Sequence, residues 1–315
     1  MYNGMMISII GYKNHSIRLQ NILSKMGVDA HLWNHNTDNF SDVINSDAIV
    51  IASPNDTHIN YIKKILNKTS AYVFCEKPPV TNLKDLEYLN NLSDDKKERM
   101  FFNFNYRFSD LPQMIEKYEY MIGKPVHFNF ISSHGLALKD SFENNWRFTT
   151  DDDLMGVYGT VAVHYIDLCL WLLGECIETN VHKSNFSNSK TADSISIDMK
   201  FKNGCTVNIF VSYVTPFINK SDLIFDNAIF ELDDGKLNLY EPRESFDDNG
   251  NFVKPYGRCI SNFDKSKHYY DNSIGRALSF FVDIVKNKNK FSIDDFQISM
   301  ETNKILINNL RGIND

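Results

Sequence analysis

Two short constellations in this 315-residue chain carry side chains suited to proton transfer. One is Glu76-Lys77-Pro78-Pro79, which follows the apolar run from Ala71 to Cys75. The other is His164 with Asp167, three residues apart, so that on a helix both share one face. Oxidising a carbinol carbon needs a base for its hydroxyl proton, and reduction needs the matching acid, with a pKa near the working pH. A free lysine is too basic for this. Desolvation and a neighbouring positive charge bring a lysine into range, which makes Lys77 the candidate acid–base residue. His164 titrates near neutrality and suits a proton relay. Pro78 and Pro79 stiffen the chain just after the lysine.

These residues need elements to hold them. Met6 to Gly11 is a short apolar run ending in glycine, the pattern of a buried strand. Leu19, Ile22, Leu23 and Met26 recur at helical spacing, and Gly27 provides a stop. Further strands are expected at 28–33, 47–52, 71–75 and 99–104, with helical stripes at 59–66 and 83–92 between them. Alternation of this kind implies βαβ units and a parallel sheet. Ligands of such sheets sit past the carboxyl ends of the strands. Gly11, Ser53-Pro54-Asn55, Glu76-Lys77 and Asn105-Tyr106-Arg107 all fall there.

After about residue 120 the pattern changes. Ser194 to Phe201 alternates with period two, Asn203-Gly204 follows, and Thr206 to Ile209 alternates again, a hairpin signal. A second hairpin is expected around Asp234-Gly235, and Val126 to Ile131 supplies another alternating strand. The second half therefore reads as a second domain with a mainly antiparallel sheet that has one dry and one wet face. The expected domains are 1–120 and 121–315, with C-terminal helices able to pack back on the first. Phe201, Ile209, Val211 and Tyr213 are apolar residues of the sheet region. A second copy is expected to cover part of that sheet, giving a homodimer or homotetramer.

Composition bounds the function classes. The chain is 43% hydrophobic, which supports a sizeable core and excludes general disorder. A net charge of −7 and the lack of a basic run argue against nucleic acid as a partner. The most apolar stretch, Val161 to Leu173, is broken by His164 and Asp167 and is too short to span a membrane. Five cysteines without a CxxC pair fit reduced thiols and a cytoplasmic setting. No histidine spacing points to a metal, and Asp151-Asp152-Asp153 reads as a solvated loop or cap.

Four segments, in order, resemble one enzyme family. Ser53-Pro54-Asn55-Asp56-Thr57-His58 is similar to a "TPNxxH" turn, and Cys75-Glu76-Lys77-Pro78 to a "CEKP" motif. Asn103 to Phe108 resembles an "FNxRF" strand end. Trp146-Arg147, followed by Gly156 through Asp167, resembles "WR…GGxLxDxGxHxxD". Together they resemble the glucose–fructose oxidoreductase and inositol dehydrogenase family (Gfo/Idh/MocA). The resemblance implies a Rossmann domain, a second α/β domain with an open sheet, and NAD(P)-dependent hydride transfer on a sugar, nucleotide-sugar or polyol lying between the domains. NAD or NADP is the implied cofactor, and the choice between them stays open.

On that resemblance Gly11, Tyr12, Lys13, Asn34, Ser53, Asn55, His58 and Glu76 are candidates for the cofactor, with Glu76 on a ribose hydroxyl. Trp146, Arg147, Tyr158, Thr160 and Asp167 are candidates for the substrate, and Lys77 and His164 for catalysis. His58 read alone is as readily a cap, Asp167 a pairing partner, and Arg107 a structural residue. Two departures stand out. The glycine-rich turn keeps only Gly11, with Lys13 and Ser16 in the other glycine places. Thr160 stands where family dehydrogenases carry an aspartate. A non-catalytic sugar- or cofactor-binding relative, and an enzyme that eliminates or hydrolyses through a transient keto intermediate, are the rival readings.

Overall fold

A computed structural model describes residues 4–241, 245–262 and 269–311. The chain divides into two units, one running to Asn105 and including Ser273–Arg311, the other Tyr106–Asn272.

The first unit carries β1 (Ile7–Ile10), α1 (Asn14–Lys25), β2 (Ala30–Trp33), α2 (Ser41–Ile44) and β3 (Ala48–Ile51). It continues with α3 (His58–Lys68), β4 (Tyr72–Cys75), α4 (Leu83–Asn90), α5 (Asp94–Lys97) and β5 (Met100–Phe102). Its sheet is parallel, in the order β2-β1-β3-β4-β5. Every side chain of β1 and β3 is buried, because helices cover both faces of a parallel sheet.

The second unit carries α6 (Asp110–Ile122), β6 (Pro125–Ser133), α7 (Trp146–Thr149), α8 (Val163–Leu173), β7 (Cys176–Ser184), β8 (Ser194–Phe201) and β9 (Thr206–Ser212). Then follow β10 (Ile218–Phe225), β11 (Ile229–Asp233), β12 (Lys236–Tyr240) and β13 (Gly257–Asn262). The sheet order is β13-β12-β11-β10-β6-β9-β8-β7. All pairs are antiparallel except β6 with β9. The two expected hairpins are present: Gly204, and Asp234 with Gly235, take the positive φ that tight turns need. A boundary at 120 would place α6 in the first domain, whereas α6 belongs to the second unit.

The chain ends in α9 (Tyr269–Lys286) and α10 (Ile293–Arg311). Ile274, Leu278, Phe281 and Val282 of α9 join Ile7, Ile9, Leu19, Leu23, Val50 and Phe74 in one buried cluster. Phe281 stacks on Phe291 at 5.7 Å and meets Phe74 edge-on at 5.3 Å. These helices thus complete the core under the first sheet.

Phe201, Ile209, Val211 and Tyr213 are all buried. The outer face of the second sheet instead presents Asn129, Ile131, Asn208, Phe210, Lys220 and Asp222, brought side by side by the strand register. All five cysteines are free thiols. Among the described residues no helix is long and apolar enough to cross a membrane.

Candidate active site

In the first unit the chain runs from β1 to β2 on one side and, after crossing back to β3, from β3 to β4 on the other, which opens a crevice at the carboxyl ends of β1 and β3. Gly11 stands there with φ of +134°. A Cβ at this position would run into Ser16 Oγ and the Ala52 carbonyl oxygen. Only glycine fits, and buried Ser16 fills the space beside it. Lys13 caps α1 with extended backbone and without a side-chain hydrogen bond, so it leaves the first N–H groups of the helix to other acceptors.

At the end of β2 the side chain of Asn34 serves its own turn: its Oδ1 accepts from the Asn36 N–H at 3.0 Å. The Asn34 N–H donates to Asp38 Oδ2 at 2.7 Å, and Thr37 Oγ1 donates to Asp38 Oδ1 at 2.9 Å. These bonds, the backbone one first, hold the Asp38 carboxyl below its ordinary range. Asn36 Nδ2 donates to the Tyr12 hydroxyl at 3.3 Å, which sets the Tyr12 ring beside this turn. The carboxylate at this strand end is therefore Asp38, which motif spacing missed. The Asn34-His35-Asn36 turn that brings it back was the available signal.

Past β4, Glu76 Oε1 accepts from Asn103 Nδ2 at 2.9 Å and lies 2.8 Å from His15 Nε2. Burial pushes the Glu76 carboxyl up, but the charge and hydrogen bond of His15, then Asn103 and Lys77, outweigh it and bring the pKa down to about 2. Glu76 in turn raises the pKa of His15. Asn103 Oδ1 is buried and makes no hydrogen bond among the described residues. Lys77 is half-buried.

His58 opens α3 and is fully buried. Its Nδ1 lies 2.9 Å from the Pro78 carbonyl oxygen and its Nε2 2.8 Å from that of Ser53. The ring is committed to the two loops, so the expected contact of His58 with a cofactor is corrected. Ser53 Oγ accepts from Thr57 at 2.7 Å, and Asn55 begins the short 3-10 turn that leads to His58.

In the second unit a π-turn, Tyr158–Ala162, feeds into α8. Such turns recur at functional sites. Gly159 is required there, since a Cβ would overlap the backbone of Leu154. Thr160 Oγ1 donates to the Gly156 carbonyl at 2.7 Å and is 2.5 Å from the Tyr213 hydroxyl. Burial raises the Tyr213 pKa, and Arg147 works against the rise. The Tyr213 ring packs on His134 at 4.9 Å. Burial lowers the pKa of His134, and Arg147 adds to the effect. Thr160, Arg147, Tyr213 and His134 thus form one polar cluster, the last two not expected from sequence.

His164 lies face to face with Tyr106, centroids 4.5 Å apart at 17°. Asp167 is fully buried and receives Arg107 through Nε at 2.8 Å and Nη2 at 2.6 Å. Its expected role on the substrate is corrected to a structural one. Tyr158, the first residue of the π-turn, is also fully buried. The side chain of Trp146 lies outside the described residues.

Residues 11–104 match the model of an oxidoreductase family with an NAD-binding Rossmann fold, and residues 111–229 match the C-terminal domain model of the same family. The chain belongs to the Gfo/Idh/MocA oxidoreductase family. A levoglucosan dehydrogenase from Pseudarthrobacter phenanthrenivorans is 25% identical over 150 residues, 47% of this chain and 38% of that protein. The oxidoreductase YteT of Bacillus subtilis is 26% identical over 155 residues, 46% of this chain and 35% of its own length. The matched stretch thus spans well under half of either relative. Among solved structures, the dehydrogenase MviM from Clostridium difficile superposes with a TM-score of 0.75 at 18% identity, covering 99% of this chain and 100% of that one. An oxidoreductase from Agrobacterium radiobacter, solved with NAD+, L-tartaric acid and magnesium, gives 0.74 at 15%, covering 98% and 97%. These likenesses bear on the fold. As a Gfo/Idh/MocA protein the chain carries Glu76-Lys77-Pro78 in its first unit and His164 and Thr160 in its second.

Proposed function

We propose that this protein is an NAD(P)-dependent dehydrogenase or reductase acting on a CH–OH or carbonyl carbon of a sugar, nucleotide-sugar or polyol. The observation that supports it most is the end of the first sheet. Gly11 is cleared of a Cβ there, the first turn of α1 is open to an acceptor, and buried Asn103 Oδ1 lacks a donor beside Glu76. These features fit a dinucleotide: N–H groups for its diphosphate, and a carboxylate and an amide oxygen for ribose hydroxyls. Gly11, Tyr12 and Lys13 would hold the diphosphate region, and Asn34 and Asp38 the adenosine ribose. Ser53, Asn55 and Glu76 would hold the remainder. Asp38 favours NAD over NADP, because a carboxylate repels a 2′-phosphate.

When bound, the nicotinamide supplies the site that takes or gives the hydride. Lys77 is the residue proposed to exchange the substrate hydroxyl proton, and His164, stacked on Tyr106, is the second residue proposed for proton transfer. Arg147, Thr160 and Tyr213 orient the substrate. Thr160 in place of a carboxylate favours the second reading, a binding or regulatory relative without turnover. A second copy of the chain is proposed to cover the outer face of the second sheet.

The test is a nicotinamide-absorbance screen of sugars, nucleotide-sugars and polyols. Lys77→Ala should slow hydride transfer on any substrate found by about 10² to 10⁴. Lys77→Arg should not restore it, since a guanidinium stays protonated. Equal rates in wild type and Lys77→Ala would remove Lys77 from this role.

A further inference from the structure

We propose that His58 is a positioning residue for Lys77, tying the loop after β4 to the loop after β3 by donating two hydrogen bonds from one doubly protonated ring. This rests on the role given to Lys77 above.

Both neighbours of the ring are backbone carbonyl oxygens, at 2.9 Å from Nδ1 and 2.8 Å from Nε2. A carbonyl oxygen only accepts. A neutral imidazole carries one N–H, and its other nitrogen presents a lone pair. At these distances that lone pair would face a carbonyl lone pair, leaving two buried acceptors opposed and unsatisfied. The ring is fully buried, so solvent does not mediate either contact. The two contacts together call for two ring protons.

The forces on that second proton oppose one another. Burial is the largest and disfavours it, and the N-terminal end of α3 adds to this. The two carbonyl oxygens favour it, as do the negative charges of Glu76 and Asp56. Burial prevails and holds the ring below its ordinary 6.5, so the second proton, and with it one of the two ties, is lost as pH rises from the acid side. Pro78 directly follows Lys77, and Ser53 begins the loop that includes Asn55. While both ties hold, the residue after the acid–base lysine is fixed to the neighbouring strand end. When the second proton leaves, one loop is released.

The experiment follows the ring and the lysine together. Ring nitrogens of ¹⁵N-histidine-labelled wild-type protein are observed by NMR from about pH 5 to about pH 8. The His58 signals are assigned by their loss in His58→Gln. In parallel, acetylation of Lys77 by acetic anhydride is followed by mass spectrometry over the same range in wild type, His58→Gln and His58→Phe. His58 should carry protons on both nitrogens at the acid end and lose one as pH rises. The labelling profile of Lys77 should break at that same pH, and the break should be absent from both variants. A His58 ring with a single proton at every pH would overturn the proposal, and so would an identical Lys77 profile in wild type and variants. The wild-type spectrum decides the first point even if His58→Phe does not fold. Neither readout involves a dinucleotide, so failure here is distinct from failure of the cofactor reading.

Discussion

The carboxylate of Asp167 receives both arms of the Arg107 guanidinium, at 2.8 and 2.6 Å, with no exposed surface of its own. The pair links α8 to the short turn that also holds Tyr106, and Tyr106 lies flat against His164. Removing one member leaves the other charge buried, which costs about 3–5 kcal/mol. Asp167→Ala should therefore lower the urea midpoint of unfolding strongly while leaving dinucleotide affinity near wild type. An unchanged midpoint would contradict the structural role given to Asp167.

His15 and Glu76 make stability depend on pH from two sides. The folded pKa of His15 is raised by Glu76 above its ordinary 6.5, so its contribution is full below about 6.5 and fades as pH rises through the raised value. That of Glu76 is lowered from 4.5 to about 2, so its contribution is full above 4.5 and fades as pH falls toward 2. The melting temperature of His15→Asn should fall furthest below wild type between about pH 4.5 and 6.5, with the gap closing above. His15 is partly exposed, so the gap is small, at most about 1 kcal/mol. A gap that widens toward pH 9 would contradict the pairing.

On the proposed reading Asp38 would set the choice of dinucleotide. Wild type should bind NAD more tightly than NADP, and Asp38→Ser should narrow or reverse the ratio, through tighter NADP binding. Calorimetric titration of both dinucleotides into both proteins checks this. A wild type that prefers NADP would contradict it.

The outer face of the second sheet mixes Ile131 and Phe210 with Asn129, Asn208, Lys220 and Asp222. Light scattering at micromolar protein should give the mass of a dimer or tetramer, and Phe210→Lys should shift it toward the monomer. A strict wild-type monomer would contradict a second copy on this face.

Much of this was legible in the chain because the signals are local. Period-two alternation in Ser194–Phe201, closed by Asn203-Gly204, fixes a hairpin without any distant contact. Apolar runs ending at Gly11, Ser53 and Glu76 place loops at strand ends in the same way. The rest depends on partners far apart in sequence. Arg107 meets Asp167 across 60 residues and Glu76 meets His15 across 61, and no periodicity links them. The parallel β6–β9 pair, and the packing of α9 under the first sheet, are likewise choices made by tertiary packing. Asp38 was hidden because the chain doubles back through an Asn turn, so its distance from the strand end is not its distance in sequence. His58 read as a ligand residue because its motif lies at a strand end, although the ring turns inward to two carbonyl oxygens.

The central claim is that the first unit takes a nicotinamide dinucleotide at Gly11 and Glu76. Its most direct test is the thermal unfolding of the protein with NAD, NADH, NADP and NADPH, each in wild type and in Gly11→Ala. A dinucleotide at 100 times its dissociation constant should stabilise the wild type by about 2.7 kcal/mol. Gly11→Ala should lose that stabilisation, because the added Cβ meets Ser16 and the Ala52 carbonyl at the start of the turn. A wild-type midpoint unmoved by millimolar concentrations of all four dinucleotides would contradict the account.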